Sequence, residues 1–188
     1  GKCDEKSLIK GTQPVTSSRN GLKLAVSFNG NVVNVPEIIK EIRERFPGFR
    51  YNFDAQLISG KLLSGLGEKG DLTSSVRRCM NEVEGAFSVA GITKNGELFA
   101  FKDPYGIRPL CCGYSEDRKT CAVSSETVGL DINGFEFDFE INPGELVTAS
   151  EDGFAREQLA KHEKRALCAF EFAYFARPDS KLGNKFVY

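Results

Sequence analysis

The sequence predicts an α+β fold, because helical and strand patterns occupy different parts of the chain. Apolar residues recur at helical spacing between residues 35 and 83. Between residues 86 and 149 the sequence reads as short strands joined by turns. Helices that come early and antiparallel strands that come late are typical of this fold class.

The first predicted elements are a strand and an amphipathic helix. Residues 1–20 are polar and rich in turn formers, so we expect an irregular lead-in. Residues 22–28 alternate in polarity and predict a strand. Val35-Pro36 opens the helix, since proline suits a first helical turn, and Pro47-Gly48 ends it.

Two more helices follow, and an aspartate stands at the start of each. Asp54 is well placed to cap the second helix, which we expect to break between Gly65 and Gly70. Asp71 can cap a third helix that runs through Val83.

The second half of the chain predicts five strands. Lys94-Asn95-Gly96 is a strong hairpin signal between the first two of them. Residues 151–166 are highly charged and predict a solvated helix. The predicted strands cover residues 86–93, 97–102, 110–114, 121–125 and 145–149.

The composition is that of an ordinary globular protein. Of 188 residues, 40% are hydrophobic and 27% are charged, with a formal net charge of −1, so a nucleic-acid-binding surface is not expected. No apolar run approaches the roughly 20 residues that span a bilayer, so we expect no membrane partner. Six cysteines without a CxxC pair, and a single histidine, predict reduced thiols in a cytoplasmic protein and no metal site.

The most distinctive segment is the loop at residues 102–110. It contains two prolines, a glycine, Asp103 and Arg108, which predicts a rigid turn between strands. We expect an ion pair between Asp103 and Arg108 to hold its shape, with Glu126 as another possible partner of Arg108.

This loop and several other motifs, in the same order, resemble the amidophosphoribosyltransferase family. The resemblance lies in the glutamine-hydrolysing half of those enzymes and covers nearly the whole chain. The other motifs are Gln13-Pro14, residues 28–31, Gly85-Ala86-Phe87, Ser125-Glu126, residues 142–145, residues 168–171 and residues 174–180.

The resemblance implies a fold and a domain organisation. It implies a four-layer αββα sandwich of the N-terminal-nucleophile hydrolase type, incomplete at the N-terminus. Residues 1–166 would form the glutamine amidotransferase domain. Residues 167–188 would lead into a phosphoribosyltransferase domain that this sequence does not contain.

The resemblance also assigns three site residues. Asn29 and Gly30 match the family's oxyanion hole, in which an amide side chain and a glycine N–H meet one developing negative charge. Asp54 matches the aspartate that binds the α-ammonium group of glutamine. The plainer alternatives are that Asn29-Gly30 ends a strand and that Asp54 only caps a helix.

The nucleophile that the family uses does not match this sequence. In the family it is an N-terminal cysteine whose own α-amino group serves as the base. Here Gly1 and Lys2 precede Cys3, so we expect Cys3 not to be the nucleophile and the chain to be inactive by itself. Either a front segment is missing, or the chain is a non-catalytic relative that retains the fold to bind glutamine or a partner.

The resemblance finally predicts partners and cofactors. Glutamine and a phosphoribosyltransferase domain are the expected partners, with a homo-oligomer at full length. No cofactor is expected in this segment, and Mg²⁺ would belong to the phosphoribosyltransferase domain. An iron–sulfur cluster occurs in some full-length members, but we expect Cys168 to be a buried apolar residue because the other thiolate ligands are not recognisable here.

Overall fold

Two antiparallel sheets lie face to face, and three helices cover the outer face of the larger one. The computed structural model describes residues 12–161, 166, 168–182 and 185–187. This arrangement, together with a short fourth helix against the smaller sheet, confirms the predicted α+β sandwich. No helix within those residues is long and apolar enough to cross a membrane.

The larger sheet has six strands in the order β1-β2-β3-β4-β8-β9. Its longest pairing, between β2 and β3, runs from Leu24 opposite Thr93 to Val32 opposite Gly85. The strands are β1 (Val15–Arg19), β2 (Leu22–Val32), β3 (Gly85–Thr93), β4 (Leu98–Lys102), β8 (Glu145–Ser150) and β9 (Gly153–Gln158).

The smaller sheet has three strands in the order β6-β5-β7. Its register shifts at Cys112 and Gly113, where β5 pairs with β7. The strands are β5 (Cys111–Ser115), β6 (Cys121–Ser124) and β7 (Phe135–Glu140), and a separate short hairpin joins β10 (Lys181–Leu182) to β11 (Lys185–Phe186).

The helices present apolar residues to the larger sheet. In α1, Ile38 and Ile42 are buried, as the helical spacing predicts. Asp71 caps α3 by accepting a hydrogen bond from the Ser74 N–H, which confirms the predicted cap. The helices are α1 (Val35–Arg45), α2 (Asp54–Lys69), α3 (Leu72–Glu82) and α4 (Thr127–Asp131), and a π-helical segment covers Glu171–Phe175.

The core has two parts, one on each face of the larger sheet. Under the helices, Phe87, Phe99 and Phe101 are fully buried with ring centroids 6.3–6.4 Å apart. Between the sheets the packed side chains are mostly smaller, with Ala100 and Val147 against Leu110 and Ile141. The aromatic side therefore supplies most of the buried apolar area, while the side between the sheets leaves room for a cavity.

The predicted irregular lead-in is wrong, and the predicted end of α2 comes later than its first glycine. The irregular lead-in contains β1, which forms because it pairs with β2. The predicted break after α2 occurs at Gly70, which ends the helix in the left-handed conformation, and not at Gly65, where a Cβ would lie 2.5 Å from the Ser75 hydroxyl oxygen. Here glycine allows α3 to pack closely against α2 instead of ending the helix.

The charged segment predicted as a helix is in fact an edge strand. Residues 153–158 form β9, which is exposed and pairs with β8. Charged residues are common on edge strands, because they discourage pairing with other chains. Residues 162–165 of the predicted helix lie outside the described residues.

A charged network ties the three covering helices together. The buried ammonium of Lys61 on α2 contacts Glu41 on α1 and Glu82 on α3. Arg78 on α3 donates to the same two carboxylates, at 2.6 Å to Glu41 and 3.0 Å to Glu82. Burial opposes ionisation of Glu82, but hydrogen bonds and charge from Lys61 and Arg78 outweigh it and lower the pKa of that carboxyl.

We predict that Lys61→Met lowers the free energy of unfolding by about 3 kcal/mol, because two partly buried carboxylates lose the more deeply buried of the two cations that they share. Urea denaturation would measure it. The matched control, Lys40→Met at an exposed position of α1, should change stability by less than about 0.5 kcal/mol. Equal stabilities of the two variants would contradict a structural role for the network.

Candidate active site

A cavity of about 240 Å³ opens between the two sheets beside β2. Pockets for drug-sized ligands usually measure roughly 300–1,000 Å³, so this one suits a small metabolite. It is lined by Gln13, Ser27, Phe28, Asn29, Ser88, Ala90, Leu110, Val123, Ser124 and Ser125. None of these lining residues is charged, so recognition inside the cavity depends on hydroxyl, amide and backbone groups.

Asn29 belongs to this cavity because of its position in the strand alternation. Leu24 and Val26 of β2 are buried under the helices, so the intervening residues face the smaller sheet. Asn29 and Ser27 therefore line the cavity, opposite Ser88 and Ala90 of β3 in the register. Asn29 is half-buried, and its amide can reach a ligand there.

Gly30 carries its N–H on an open edge of β2. Strand β1 pairs with β2 only as far as Val26. Beyond that point, side chains occupy the edge: the Phe28 N–H donates to Gln13 and the Val32 N–H donates to Asp54. Because N–H directions alternate along a strand, the Gly30 N–H points to this same edge, between Gln13 and Asp54.

A side chain at Gly30 would not fit. Its φ is +156°, and an added Cβ would lie 2.2 Å from the Ala86 carbonyl oxygen. Glycine at this position therefore permits the close approach of β2 and β3 that fixes the Gly30 N–H beside Asn29.

Asp54 links the start of α2 to the far end of β2. One carboxylate oxygen accepts the Val32 N–H at 2.9 Å and the other accepts the Tyr51 hydroxyl at 2.8 Å. Val32 is three residues beyond Asn29, which places the carboxylate about 10 Å along the strand from it.

The predicted capping role of Asp54 is wrong. Phe53 is the N-cap residue, and Asp54 is the first residue of the helix. Its side chain is drawn across to β2 instead of back to its own helix. It remains half-exposed, and each oxygen has a lone pair left for a ligand ammonium group.

The Asp103 loop forms the rigid connection next to the cavity, but its contacts differ from the prediction. The fully buried Asp103 carboxylate accepts the N–H groups of Phe87, Tyr105 and Gly106 at 2.8–3.0 Å. Arg108 pairs with Glu171 of the π-helical segment and not with Asp103. A buried carboxylate that satisfies three backbone donors has no need of a cationic partner.

The suggested pairing of Glu126 with Arg108 is also wrong. Glu126 accepts the Arg177 N–H and the Ser180 hydroxyl, both at 2.8 Å. It thereby attaches the C-terminal segment to the turn after β6, directly beside Ser124 and Ser125 of the cavity wall.

The thiols of the sheet and helix cores are poor nucleophiles. Burial raises the pKa of Cys79, Cys111 and Cys112 to about 12, so they are protonated at neutral pH. Cys168 is half-buried, and Cys3 lies outside the described residues.

Sequence reasoning missed the groups that support the site residues. Gln13 was noted only as part of a motif, yet its side-chain amide holds both the N–H and the carbonyl of Phe28. Tyr51, which binds Asp54, carried no signal, because nothing in the sequence indicates which of five tyrosines meets a carboxylate.

Comparison with known proteins places the chain among glutamine amidotransferases. A family model described as glutamine amidotransferase domain matches residues 5–131. The chain is 32% identical to the amidophosphoribosyltransferase of Methanothermobacter thermautotrophicus over 97% of this chain and 38% of that protein. It is 30% identical to the Archaeoglobus fulgidus amidophosphoribosyltransferase over 97% of this chain and 39% of that protein.

A solved structure gives the same result. The glutamine phosphoribosylpyrophosphate amidotransferase of Bacillus subtilis, complexed with ADP and GMP, superposes with a TM-score of 0.83 at 26% identity. The match covers 95% of this chain and 38% of that one. The chain thus spans less than two fifths of the length of each of these three proteins.

We predict that Tyr51 ionises above the pKa of about 10 of a free tyrosine, because its hydrogen bond to Asp54, its burial and the nearby negative charge all favour the neutral phenol. Since the folded-state pKa is raised, this stabilising contribution is complete below pH of about 10 and is lost as the pH rises through the raised value.

Ultraviolet titration of tyrosinate, with Tyr51→Phe identifying the Tyr51 signal, would measure this pKa. Asp54→Asn should lower it, because both the charge and the acceptor strength decrease. An unchanged Tyr51 pKa in Asp54→Asn would show that the hydrogen bond does not form in solution.

Proposed function

Because the chain belongs to the family of glutamine amidotransferase domains, we propose that it is the glutamine-hydrolysing part of an amidophosphoribosyltransferase. In this role it releases ammonia from glutamine for the formation of phosphoribosylamine, the first step of purine biosynthesis. A phosphoribosyltransferase domain would receive the ammonia, and the complete enzyme would be a cytoplasmic homo-oligomer whose Mg²⁺ belongs to that second domain.

The observation that supports this proposal most strongly is the arrangement along one strand. The Asn29 side chain lines the cavity between the sheets, and the Gly30 N–H and the Asp54 carboxylate follow it along β2 within about 10 Å. A glutamine molecule extended along this edge would place its two ends near different groups: the side-chain amide near Asn29 and the α-ammonium near Asp54.

The Asn29 amide and the Gly30 N–H act when negative charge develops on the carbonyl oxygen of the glutamine side chain. The family resemblance implies a cysteine thiolate that attacks the amide carbon of glutamine, so that the carbonyl oxygen becomes an oxyanion. The Asn29 amide and the Gly30 N–H stabilise that oxyanion as hydrogen-bond donors. The carbon–nitrogen bond then breaks, and the leaving nitrogen departs as ammonia with the proton that the thiol gave to the α-amino group of the same cysteine. Water then hydrolyses the thioester to glutamate and restores the thiol.

Asp54 binds the substrate and takes no part in breaking the amide bond. Its fixed carboxylate pairs with the α-ammonium group, which positions the amide at the other end of the substrate. The hydrogen bonds from Val32 and Tyr51 hold the carboxylate in place before the substrate arrives, so little ordering is needed on binding.

We predict that Asn29→Ala, in the full natural protein, lowers kcat for glutamate release by about 10²- to 10³-fold with a small change in KM, because one oxyanion donor is lost. A glutamate-release assay without phosphoribosylpyrophosphate would measure it. Asn31→Ala is the matched control, since Asn31 lies two residues further along and, within the described residues, its amide donates to the neighbouring Val32 carbonyl. Equal losses in both variants would contradict the assignment.

We predict that Asp54→Asn raises KM for glutamine by about tenfold or more, because a charge-assisted contact worth roughly 1.5–3 kcal/mol is lost. Asparagine can still accept the Val32 N–H, so the strand contact survives. Tyr51→Phe retains the carboxylate and should affect KM less. A KM unchanged by Asp54→Asn would exclude Asp54 from the substrate site.

The same assay separates the proposed enzyme from the non-catalytic alternative. Glutamine binding by calorimetry without glutamate release, in the full natural protein, would support a relative that only binds glutamine. Release that is abolished by Cys3→Ala would identify Cys3 as the nucleophile, contrary to the expectation from sequence.

A further inference from the structure

We propose that a second cavity, at the edge of the six-stranded sheet, binds a small phosphate monoester with an apolar group. This cavity of about 390 Å³ lies between β1, the end of α1 and α2. It is lined by Ser17, Ser18, Arg19, Phe46, Gly48, Phe49, Arg50, Gln56, Gly60 and Leu63. None of these residues is acidic, and two are arginines.

Arg19 is held in position at the cavity wall. Its guanidinium carbon lies 3.8 Å from the centroid of the Phe46 ring, in a cation–π contact. This contact fixes the plane of the guanidinium without using its N–H groups. Within the residues that the structure describes, no carboxylate takes up the N–H groups of this half-buried guanidinium, so it is preorganised for an oxyanion.

Arg50 supplies a second cation to the same cavity. It is exposed, and within the described part of the chain no carboxylate pairs with Arg19 or Arg50. Two nearby arginines have backbone acceptors: Arg43 donates to the Phe49 carbonyl and Arg45 to the Ser64 carbonyl. Arg19 and Arg50 are therefore the cations positioned to bind a ligand, and two positive charges match a phosphate dianion better than a single carboxylate.

The remaining lining residues indicate what the anion is attached to. Phe46, Phe49 and Leu63 form an apolar floor. The Phe49 ring packs directly on α2 at Gly60, where an added Cβ would lie 2.5 Å from the ring. Ser17 and Ser18 of β1 also line the cavity, and Ser17 lies on the same face of the strand as Arg19. A phosphate group with a small ring or chain fits this combination.

The cavity is separate from the candidate active site. It lies on the helical side of the larger sheet, whereas the cavity at Asn29 lies between the sheets, and the two share no lining residue. The proposal therefore goes beyond glutamine hydrolysis, and its test does not depend on that activity.

The proposal can be tested on this 188-residue chain by isothermal titration calorimetry with phenyl phosphate, inorganic phosphate and phenol. We expect phenyl phosphate to bind about tenfold more tightly than inorganic phosphate, since the ring adds apolar contact. Phenol alone should not bind measurably, and binding should weaken as salt is raised.

Substitutions of single arginines test whether phenyl phosphate binds in this cavity. Arg50→Gln should weaken phenyl phosphate binding about tenfold, the equivalent of one charge-assisted hydrogen bond. Arg118→Gln is the matched control, because Arg118 is also exposed but lies on the other sheet, beside Asp138. Arg19→Lys keeps the charge but loses the planar fork, and should weaken binding as well.

Three results would overturn the proposal. The first is no heat of binding from phenyl phosphate at millimolar concentration. The second is equal loss in Arg50→Gln and Arg118→Gln, which would indicate binding to surface charge in general. The third is equal affinity for phenol and phenyl phosphate, which would show that the arginines contribute nothing.

Discussion

The candidate active site depends on one constraint, the incomplete pairing of β2. This strand pairs with β3 along nearly its whole length but with β1 only up to Val26. The remaining edge would be a row of unpaired backbone groups, and the side chains of Gln13 and Asp54 satisfy part of it. The Gly30 N–H lies between them, so the same geometry that completes the edge of the sheet leaves one donor directed at the candidate substrate position.

The pairing of β2 with β3 fixes the position of the Gly30 N–H. Gly30 and Gly85 both have φ of +156°, and an added Cβ at either would lie 2.2 Å from a carbonyl oxygen on the opposite strand. The next layer of support is Asp103, whose carboxylate holds the Phe87 N–H of β3 together with two N–H groups of its own loop. Glu126 then joins the cavity wall to the C-terminal segment through Arg177 and Ser180. Backbone contacts thus dominate the support of the site, and these restrain position better than long side-chain ion pairs do.

The features that the sequence predicted correctly depend mostly on residues close together along the chain. The α1 helix and the Asp71 cap follow from residues a few positions apart, and the motif order was sufficient to indicate the family. The errors arose where distant residues decide the outcome. Strand β1 exists because of β2, Gly65 stays helical because Ser75 packs on it, and Asp54 turns to Val32 and not to its own helix. Glu171, the partner of Arg108, is 63 residues away in the sequence, a distance at which no local pattern identifies a contact.

The distribution of charge argues that the second cavity is a site and not a packing defect. Across the described part of the chain, arginines commonly lie against carboxylates. These pairs are Arg77–Glu157, Arg78–Glu41, Arg78–Glu82, Arg108–Glu171, Arg118–Asp138, Arg156–Glu145 and Arg177–Asp179. Arg19 and Arg50 instead line one cavity to which the described residues contribute no carboxylate. The Phe46 ring orients the guanidinium of Arg19 but carries no negative charge that could neutralise it. The positive charge that both arginines bring to the cavity would favour binding of a doubly charged anion.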